Sequence, residues 1–342
     1  MYKPKTIKVL IVDDSLVFRE TLSRGLSSDP GIEVVGVAPD PFVARDMIIQ
    51  YEPDVITLDV ELPRMNGIEF LKKLMPQYPL PVVVVSSVSD NVFDALNAGA
   101  VDFVNKPGTN TNNSMESFMN ELIIKVKIAS TAKVGHLKKE YKSNVINDST
   151  KPKGKFNIIA IGASTGGTEA IYEVIKAFPR EMPGIVIVQH MPAVFTNMYA
   201  QRLNNTCRME VKEAVSGDLV LPGRVLIAPG GEQHMRIISR GNSYAVELYK
   251  DDKVNGHCPS VDVLFNSVAE KVGPAAIGVI LTGMGYDGAK GLLKMKQRGG
   301  TTIGQDENSS VVYGMPKVAY DIGAVDKQLD LKNIPHLIHS LL

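Results

Sequence analysis

Polar residues follow four apolar segments in the first 130 residues of the chain. They are Asp13, Asp14, Asp59, Ser86 and Lys106. Three carboxylates brought together would repel each other without a cation, and hard oxygen ligands with room for water suit Mg²⁺. A nearby lysine can neutralise a phosphoryl group during its transfer, and one carboxylate can act as nucleophile and become an aspartyl phosphate. The set therefore indicates phosphoryl-acceptor chemistry.

Each of these residues taken alone also has a structural explanation. An aspartate directly after a strand often caps the next helix, and Asp14 precedes a helical pattern at residues 16–26. The combination of residues at several strand ends, rather than any single one, favours phosphoryl chemistry.

A second group of candidate residues begins at a glycine-rich turn. The apolar segment 158–161 runs into Gly162-Ala163-Ser164-Thr165-Gly166-Gly167, and a helical pattern follows at residues 168–178. This arrangement matches the G-x-S-x-G nucleophile elbow between a strand and a helix. Ser164 at a helix N-terminus suits attack on a carbonyl beside an oxyanion site, but such a turn also suits anion binding or serves only as a turn.

A serine nucleophile needs a base and a group that orients the base. His190 lies at the end of the next predicted strand, and Asp287 lies in a glycine-rich loop after a later one at residues 277–281. Ser164, His190 and Asp287 therefore form a candidate Ser-His-Asp triad. Asp287 alone could instead cap the helix predicted at residues 288–297.

Other histidines offer alternatives for the base. The α/β-hydrolase order of serine, acid and histidine would require His336 or His339. Both lie in a short amphipathic terminal segment, where surface or packing roles are expected. His234 and His257 are further candidates, and since no metal-ligand spacing connects any of these histidines, no zinc site is predicted.

The elements that must hold these residues alternate along the chain. Strand-length apolar segments alternate with helical patterns in the first 130 residues and again from residue 158. This alternation predicts parallel sheets covered on both faces, with ligand-binding residues at the carboxyl ends of the strands. Residues 234–239 and 244–249 predict a β-hairpin. The predicted fold class is α/β, with two doubly wound parallel-sheet domains and a small antiparallel insert in the second.

The length of 342 residues suggests two domains. We place the first at residues 1–130, a linker at 131–155 and the second domain at 156–342. The linker is polar and rich in lysine, which indicates an exposed tether or, alternatively, a docking surface.

The overall composition excludes several classes of protein. Lysine plus arginine and aspartate plus glutamate each number 37, and this balance argues against a nucleic-acid partner. The two cysteines, Cys207 and Cys258, indicate packing roles in a reducing compartment. No signal-peptide pattern and no apolar run near the roughly 18 residues of a membrane span occur. We expect a cytoplasmic monomer that does not insert into the membrane.

Four short motifs at the predicted strand ends of the first half occur together. They are Val12-Asp13-Asp14, Asp59 with Leu62-Pro63-Arg64-Met65-Asn66-Gly67, Ser86, and Phe103-Val104-Asn105-Lys106-Pro107. With these motifs, the segment resembles the flavodoxin-like receiver domain of two-component response regulators over essentially its whole length. The resemblance implies that Asp59 accepts a phosphoryl group from a histidine kinase and that Asp13 and Asp14 help it to hold Mg²⁺. It also implies that Ser86 and Lys106 sense the phosphate and that Phe103 is the aromatic switch residue.

Four motifs of the second half likewise occur together. They are the Gly162–Gly167 turn, Gln189-His190-Met191, Pro259-Ser260-Val261-Asp262, and Leu281-Thr282-Gly283-Met284-Gly285-Tyr286-Asp287-Gly288. With them, the second half is similar over nearly all of its length to the catalytic domain of chemotaxis protein-glutamate methylesterases. The resemblance implies Ser164 as nucleophile, His190 as base, Asp287 as orienting group and backbone near Met284 at the oxyanion site.

The same resemblance implies substrates and partners. The substrates would be glutamate methyl esters and glutamine amides on the cytoplasmic domains of chemoreceptors, and the phosphodonor would be the chemotaxis histidine kinase. The hydrolytic step would need no cofactor, whereas phosphorylation of the receiver would need Mg²⁺. The domain order adds the hypothesis that the unphosphorylated receiver packs over the mouth of the Ser164 site and that phosphorylation of Asp59 shifts the enzyme to an open state.

Three alternatives differ in the function of the second half. It could be a non-catalytic, anion-binding scaffold, in which case the Ser164→Ala substitution would leave function intact. It could use the same triad on another ester or amide. It could belong to a transcriptional regulator, but that requires a helix-turn-helix after the linker, and the alternating strands and helices predict otherwise.

Overall fold

The structure, a computed structural model, describes residues 5–87, 91–107, 115–134 and 156–342. The chain divides into two compact units, Met1–Lys139 and Glu140–Leu342. The division falls outside the described residues, as does the predicted linker from residue 135 onward.

The first unit contains a five-stranded parallel sheet. Its strands are β1 (Ile7–Val12), β2 (Ile32–Ala38), β3 (Val55–Asp59), β4 (Val82–Ser86) and β5 (Asp102–Asn105). Their order is β2-β1-β3-β4-β5, and β3 and β4 are buried along their whole lengths. A parallel sheet covered on both faces has such unbroken apolar strands. The order changes direction between β1 and β3, so the carboxyl ends of these two strands flank the crevice where ligands bind in such sheets.

Helices follow the strands of the first unit. Those in the described residues are α1 (Leu16–Ser27), α2 (Pro41–Tyr51), α3 (Gly67–Leu74), α4 (Asn91–Asn97) and α5 (Met115–Ala129). The side chain of Ser15 accepts the backbone N–H of Phe18 and is the N-cap of α1. The alternative that Asp14 caps this helix is therefore wrong, and Asp14 is exposed.

The second unit contains a larger parallel sheet. Its strands are β6 (Ile158–Ala163), β7 (Gly184–Gln189), β8 (Glu210–Glu213), β9 (Arg224–Ile227), β12 (Ala276–Ile280), β13 (Thr301–Gln305) and β14 (Lys327–Leu329). Their order is β14-β13-β12-β6-β7-β9-β8. The remaining strands, β10 (Gln233–Arg240) and β11 (Ser243–Lys250), form a separate antiparallel hairpin. Together the two sheets and the hairpin confirm the predicted fold class, although β8, β13 and β14 were not predicted.

Helices cover the sheet of the second unit. Those in the described residues are α6 (Gly167–Ala177), α7 (Ala193–Thr206), α8 (Val261–Lys271), α9 (Ala289–Gln297), α10 (Met315–Asp321) and α11 (Ile334–Leu341). The core includes the apolar faces of α8 and α9, and the hairpin strand β10 packs on α8. None of the helices in the described part of the chain is both long enough and apolar enough to cross a membrane.

The central strand β6 determines where the polar residues of the second unit meet. β6 pairs with β7 on one side and with β12 on the other, and all three strands are buried. The chain passes from β6 to β7 and later returns to the opposite side of β6 as β12. The carboxyl end of β6 is therefore a topological switch point, the usual place for a ligand crevice in an open α/β sheet.

Candidate functional site

Ser164 lies at this switch point, one residue beyond the end of β6. Ala163 pairs with Gln189 in the sheet, and the backbone N–H of His190 donates to Ala163 O at 3.1 Å. On the opposite side, the backbone N–H of Ser164 donates to Thr282 O at 3.0 Å. Backbone hydrogen bonds thus hold the loops after β6, β7 and β12 together around Ser164.

The turn after Ser164 requires glycine. Gly166, the N-cap of α6, has φ of +76°, and a Cβ there would lie 2.7 Å from Val311 Cβ. Gly283 also passes close to the serine, because a Cβ on Gly283 would lie 2.6 Å from Ser164 Cβ. The glycines therefore leave the half-buried Ser164 just before the N-terminus of α6, with backbone packed closely around it.

The side chains of His190 and Asp287 form a buried hydrogen-bonded pair beside this turn. His190 Nε2 lies 2.9 Å from Asp287 Oδ2. The other ring nitrogen, His190 Nδ1, is buried and has no hydrogen-bond partner among the described residues. The structure therefore brings the predicted base and its predicted orienting group together and leaves one ring nitrogen available for a further contact.

Asp287 accepts hydrogen bonds from several elements. Besides His190, its donors are Asn255 Nδ2 at 2.7 Å, Ser260 Oγ at 2.8 Å, Val261 N at 2.7 Å and Asp262 N at 3.2 Å. Two of these are N–H groups of the first turn of α8, so Asp287 lies at the positive end of that helix. The N-cap of its own helix α9 is Gly288, and the alternative that Asp287 caps α9 is wrong.

The charge of Asp287 follows from these contacts. Burial alone would raise the pKa of Asp287, but the hydrogen bond and positive charge of His190, helped by the other donors, hold it well below its usual range. An ionised carboxylate only accepts hydrogen bonds, so His190 Nε2 must carry the proton that faces it. His190 Nδ1 then has a free lone pair whenever the ring is neutral.

The first unit brings a second set of predicted residues together. Lys106 Nζ lies 2.8 Å from Asp13 Oδ2 and 2.5 Å from Asp59 Oδ2, and both aspartates are buried. Phe18 packs under the ammonium group, with its ring centroid 4.7 Å from Nζ. Ser86 is buried at the end of the neighbouring strand β4, where its backbone carbonyl accepts the N–H of Lys106 at 2.8 Å.

Asp59 and Lys106 respond in different ways to burial. Burial raises the pKa of Asp59, and the nearby charge of Asp13 adds to this effect, while Lys106 opposes it. Burial lowers the pKa of Lys106, but the hydrogen bonds and charges of the two aspartates outweigh it and raise that pKa. A lysine between two carboxylates therefore stays positively charged.

The carboxylates of this site also fit a divalent cation. Asp13, Asp14 and Asp59 each offer one carboxylate oxygen, and these atoms lie within 4.8 Å of one another. Three hard oxygen donors at this spacing, one of them exposed to water, are typical of Mg²⁺ ligands. The acidic cluster is therefore consistent with the predicted magnesium site.

In a comparison with known proteins, each of the two units matches a known protein family. The family described as CheB methylesterase matches residues 159–338, and the response regulator receiver domain matches residues 9–115. The protein-glutamate methylesterase/protein-glutamine glutaminase 2 of Syntrophomonas wolfei is 60% identical over 338 residues, which are 99% of this chain and 98% of the relative.

The chain belongs to the CheB methylesterase family. Another relative, the protein-glutamate methylesterase/protein-glutamine glutaminase of Syntrophotalea carbinolica, is 52% identical over 99% of this chain and 98% of its own length. The crystal structure of the Thermotoga maritima CheB methylesterase catalytic domain superposes with a TM-score of 0.53 and 41% identity, and covers 55% of this chain and 99% of that domain. The alternative of a transcriptional regulator is therefore wrong.

The other histidines in the described residues of this CheB family chain take different positions. His234 is buried, accepts the backbone N–H of Ser260 on Nδ1 at 3.1 Å and contacts Asp252 O through Nε2 at 2.9 Å. His336 is exposed on α11, and His339 is half-buried there. Among the histidines in the part of the chain that the structure describes, His190 is the one that forms a hydrogen bond with Asp287.

The sequence did not single out Asn255, and it offered His257 only as an alternative candidate for the base. Asn255 adopts φ of +54°, and its amide bridges the buried carboxylates of Asp287 and Asp262 at 2.7 Å each. His257 stacks on His190, with ring centroids 3.7 Å apart and an angle of 8° between the planes. The Asn255-Gly256 dipeptide signals a turn, but no sequence signal connects that turn with residues in other elements.

The environment of His257 predicts a pH dependence of stability. Burial, followed by the charge of His190, lowers the pKa of His257 from 6.5 to about 4. The unfolded chain therefore binds a proton on this ring below about pH 6.5, whereas the folded chain does so only near pH 4. The contribution of His257 to the free energy of unfolding must therefore fall as the pH drops through this window.

Thermal unfolding at pH 7 and pH 5 tests this dependence. We expect the drop in midpoint between the two values to be smaller in His257→Phe than in the wild type, because phenylalanine cannot bind the proton. His336→Gln, at an exposed histidine, is the matched control and should drop as the wild type does. An identical drop in all three proteins would contradict the neutral state of the half-buried His257.

Proposed function

We propose that this chain is a chemotaxis protein-glutamate methylesterase and protein-glutamine glutaminase whose receiver domain controls its activity through phosphorylation. We place the receiver at residues 1–130, a linker at 131–155 and the catalytic domain at 156–342. The observation that supports the activity most strongly is the His190–Asp287 pair beside Ser164 at the switch point of the second sheet. The substrates are chemoreceptor glutamyl methyl esters and glutamines, and their hydrolysis contributes to receptor adaptation.

The acyl transfer uses three side chains in different roles. Ser164 Oγ attacks the side-chain carbonyl of the substrate, and His190 accepts its proton. Nδ1 is the nitrogen for this role, because Nε2–H is directed at the ionised Asp287. Asp287 keeps the ring in this tautomer and stabilises the positive charge that forms on it.

The loop after β12 completes the site. Gly283 lies against Ser164, and its own backbone N–H is engaged by Val312 O at 3.0 Å. The backbone N–H of the next residue, Met284, is the donor that we assign to the developing oxyanion, together with the N-terminal turn of α6. His190 then passes this proton to the leaving oxygen or nitrogen, so that methanol or ammonia departs and the acyl-enzyme remains. Water hydrolyses the acyl-enzyme, with His190 accepting the proton of the water and giving it to Ser164 Oγ.

The receiver domain makes the enzyme responsive to phosphorylation by a chemotaxis histidine kinase. Asp13, Asp14 and Asp59 would hold Mg²⁺, which supplies positive charge at the phosphoryl group when it is bound. Asp59 accepts the phosphoryl group, and Lys106, which now pairs with Asp13 and Asp59, is positioned to pair with it. Ser86 at the end of β4 contributes a hydroxyl to the same edge of the sheet.

Asp59→Ala should abolish stimulation by phosphorylation. With Mg²⁺ and a small-molecule phosphodonor, we expect methanol release from methylated receptor membranes to rise between about 5- and 150-fold in the wild type, the range of ordinary allosteric coupling. The variant should keep the basal rate and show no rise, because no other carboxylate takes the phosphoryl group. Asp46→Ala, at an exposed aspartate of α2, is the matched control. Stimulation of Asp59→Ala equal to that of the wild type would contradict Asp59 as acceptor.

A fragment spanning residues 156–342 tests how the receiver acts. If the unphosphorylated receiver inhibits the enzyme, the fragment should release methanol faster than the unphosphorylated full chain. A fragment that is no faster, combined with loss of stimulation in Asp59→Ala, would contradict inhibition and favour activation by the phosphorylated receiver.

A further inference from the structure

The face of the His190 ring is covered by a second imidazole. The rings of His190 and His257 are nearly parallel at 8°, and their centroids are 3.7 Å apart, which is van der Waals contact over the whole ring. A hydrogen bond from Nε2 to Asp287 fixes one point of the His190 ring but leaves it able to turn about that point. A flat partner on the ring face removes this remaining freedom.

His257 is itself held firmly in place. It exchanges two backbone hydrogen bonds with Val254, at 3.1 and 3.0 Å. The residues on either side of it in the loop, Asn255 and Ser260, both donate to Asp287. The loop that carries the stacked ring is therefore anchored by hydrogen bonds on the carboxylate that orients His190.

The charged groups around His257 favour a neutral ring. His190 follows β7, Asp287 follows β12, and Lys253 lies in the same loop as His257. Burial, then the charge of His190 when it is protonated, and then Lys253 lower the pKa of His257 to about 4, and Asp287 opposes them only in part. At neutral pH the ring is therefore an uncharged, flat surface that excludes water from one face of His190.

We propose that His257 is a positioning residue, which holds the His190 ring in the plane that directs Nδ1 toward Ser164 while Nε2 stays on Asp287. This proposal rests on the proposed function, in which His190 is the general base. A base displaced by about 1 Å can cost on the order of a hundredfold in rate. The stack is accordingly expected to affect the turnover number rather than substrate binding.

Replacement of His257 by non-aromatic and aromatic residues tests the stack in the full-length protein. With methylated receptor membranes, we expect His257→Ala and His257→Gln to lower kcat by about 10- to 100-fold with KM changed less than about threefold. His257→Phe should recover most of this loss, because it restores the flat partner without a ring nitrogen. His336→Ala, at an exposed histidine, is the control for removal of an imidazole.

The dependence of kcat/KM on pH is a second measurement of the stack. A loss of packing alone would not change this dependence. Removing the ring in His257→Ala opens one face of His190 to water, so the pH profile of kcat/KM should differ from that of the wild type. The profile of His257→Phe should stay near that of the wild type. Thermal unfolding of each variant shows whether the protein is folded under the assay conditions.

Several outcomes would overturn the proposal. Unchanged kcat and pH profile in His257→Ala and His257→Gln would show that the stack does not position the base. A loss in His257→Phe as large as in His257→Ala would show that a ring nitrogen, not the flat surface, is required. Failure of the proposed function can be told apart from failure of the positioning role of His257. In that case the wild type would release no methanol, or would release it independently of Ser164.

Discussion

Ser164→Ala is expected to reduce methanol release from methylated receptor membranes by about 10⁴- to 10⁶-fold, as loss of the nucleophile does in serine hydrolases. The substitution removes one half-buried oxygen and leaves the backbone hydrogen bond from Ser164 N to Thr282 O in place. The fold and the affinity for receptors should therefore be unchanged, and the effect should lie in kcat.

Ser243→Ala is the matched control, because it removes the same hydroxyl from an exposed position at the start of β11. It should release methanol at the wild-type rate. Methanol release by Ser164→Ala at a rate comparable to the wild type would remove Ser164 as nucleophile and favour the non-catalytic scaffold. Activity of the wild type on other esters only would favour the same triad with another substrate.

Asp287→Asn is expected to lower kcat by about 10⁴-fold, because the amide favours the wrong tautomer of His190. The carboxylate accepts hydrogen bonds from five donors, whereas an amide offers one accepting oxygen and turns an NH₂ group toward the others. Buried donors such as Val261 N would lose their partner, and we expect roughly 2–4 kcal/mol of lost stability as well.

The two effects of Asp287→Asn can be separated by a second variant. Asp326→Asn changes an exposed aspartate of the same unit, which accepts hydrogen bonds from Thr302 N and Oγ1. It should lower the thermal midpoint while the kcat of the folded protein stays within about twofold of the wild type. A kcat of Asp287→Asn close to that of Asp326→Asn would contradict an orienting role for Asp287.

Much of the fold could be predicted because buried parallel strands are unbroken apolar runs. The strands that were missed lack this signal for physical reasons. β13 contains Thr301, Thr302 and Gln305, and the buried Gln305 side chain accepts the backbone N–H of Thr282 at 2.8 Å rather than packing as an apolar residue. β8 is an edge strand in which only Val211 is buried, and β14 is three residues long.

The candidate site, like the fold, could be predicted from sequence only in part. Ser164, His190 and Asp287 could be proposed from sequence because each follows a recognisable strand and parallel strands end at the same edge. The supporting loop could not, because its contacts cross long distances along the chain. Asn255 and Asp287 are 32 residues apart, and the stack of His257 on His190 depends on the backbone path of the whole loop.

Partitioning of the acyl-enzyme by hydroxylamine tests the central claim most directly. The measurement follows methanol, glutamate and glutamyl hydroxamate together as wild-type enzyme acts on methylated receptor membranes at increasing hydroxylamine concentrations, with Ser164→Ala as blank. If the substrate acyl group passes through Ser164, hydroxamate should replace glutamate progressively, while methanol release does not fall. Glutamate as the only product at every hydroxylamine concentration that leaves the enzyme active would mean that water attacks the ester directly, and would contradict the nucleophilic role of Ser164.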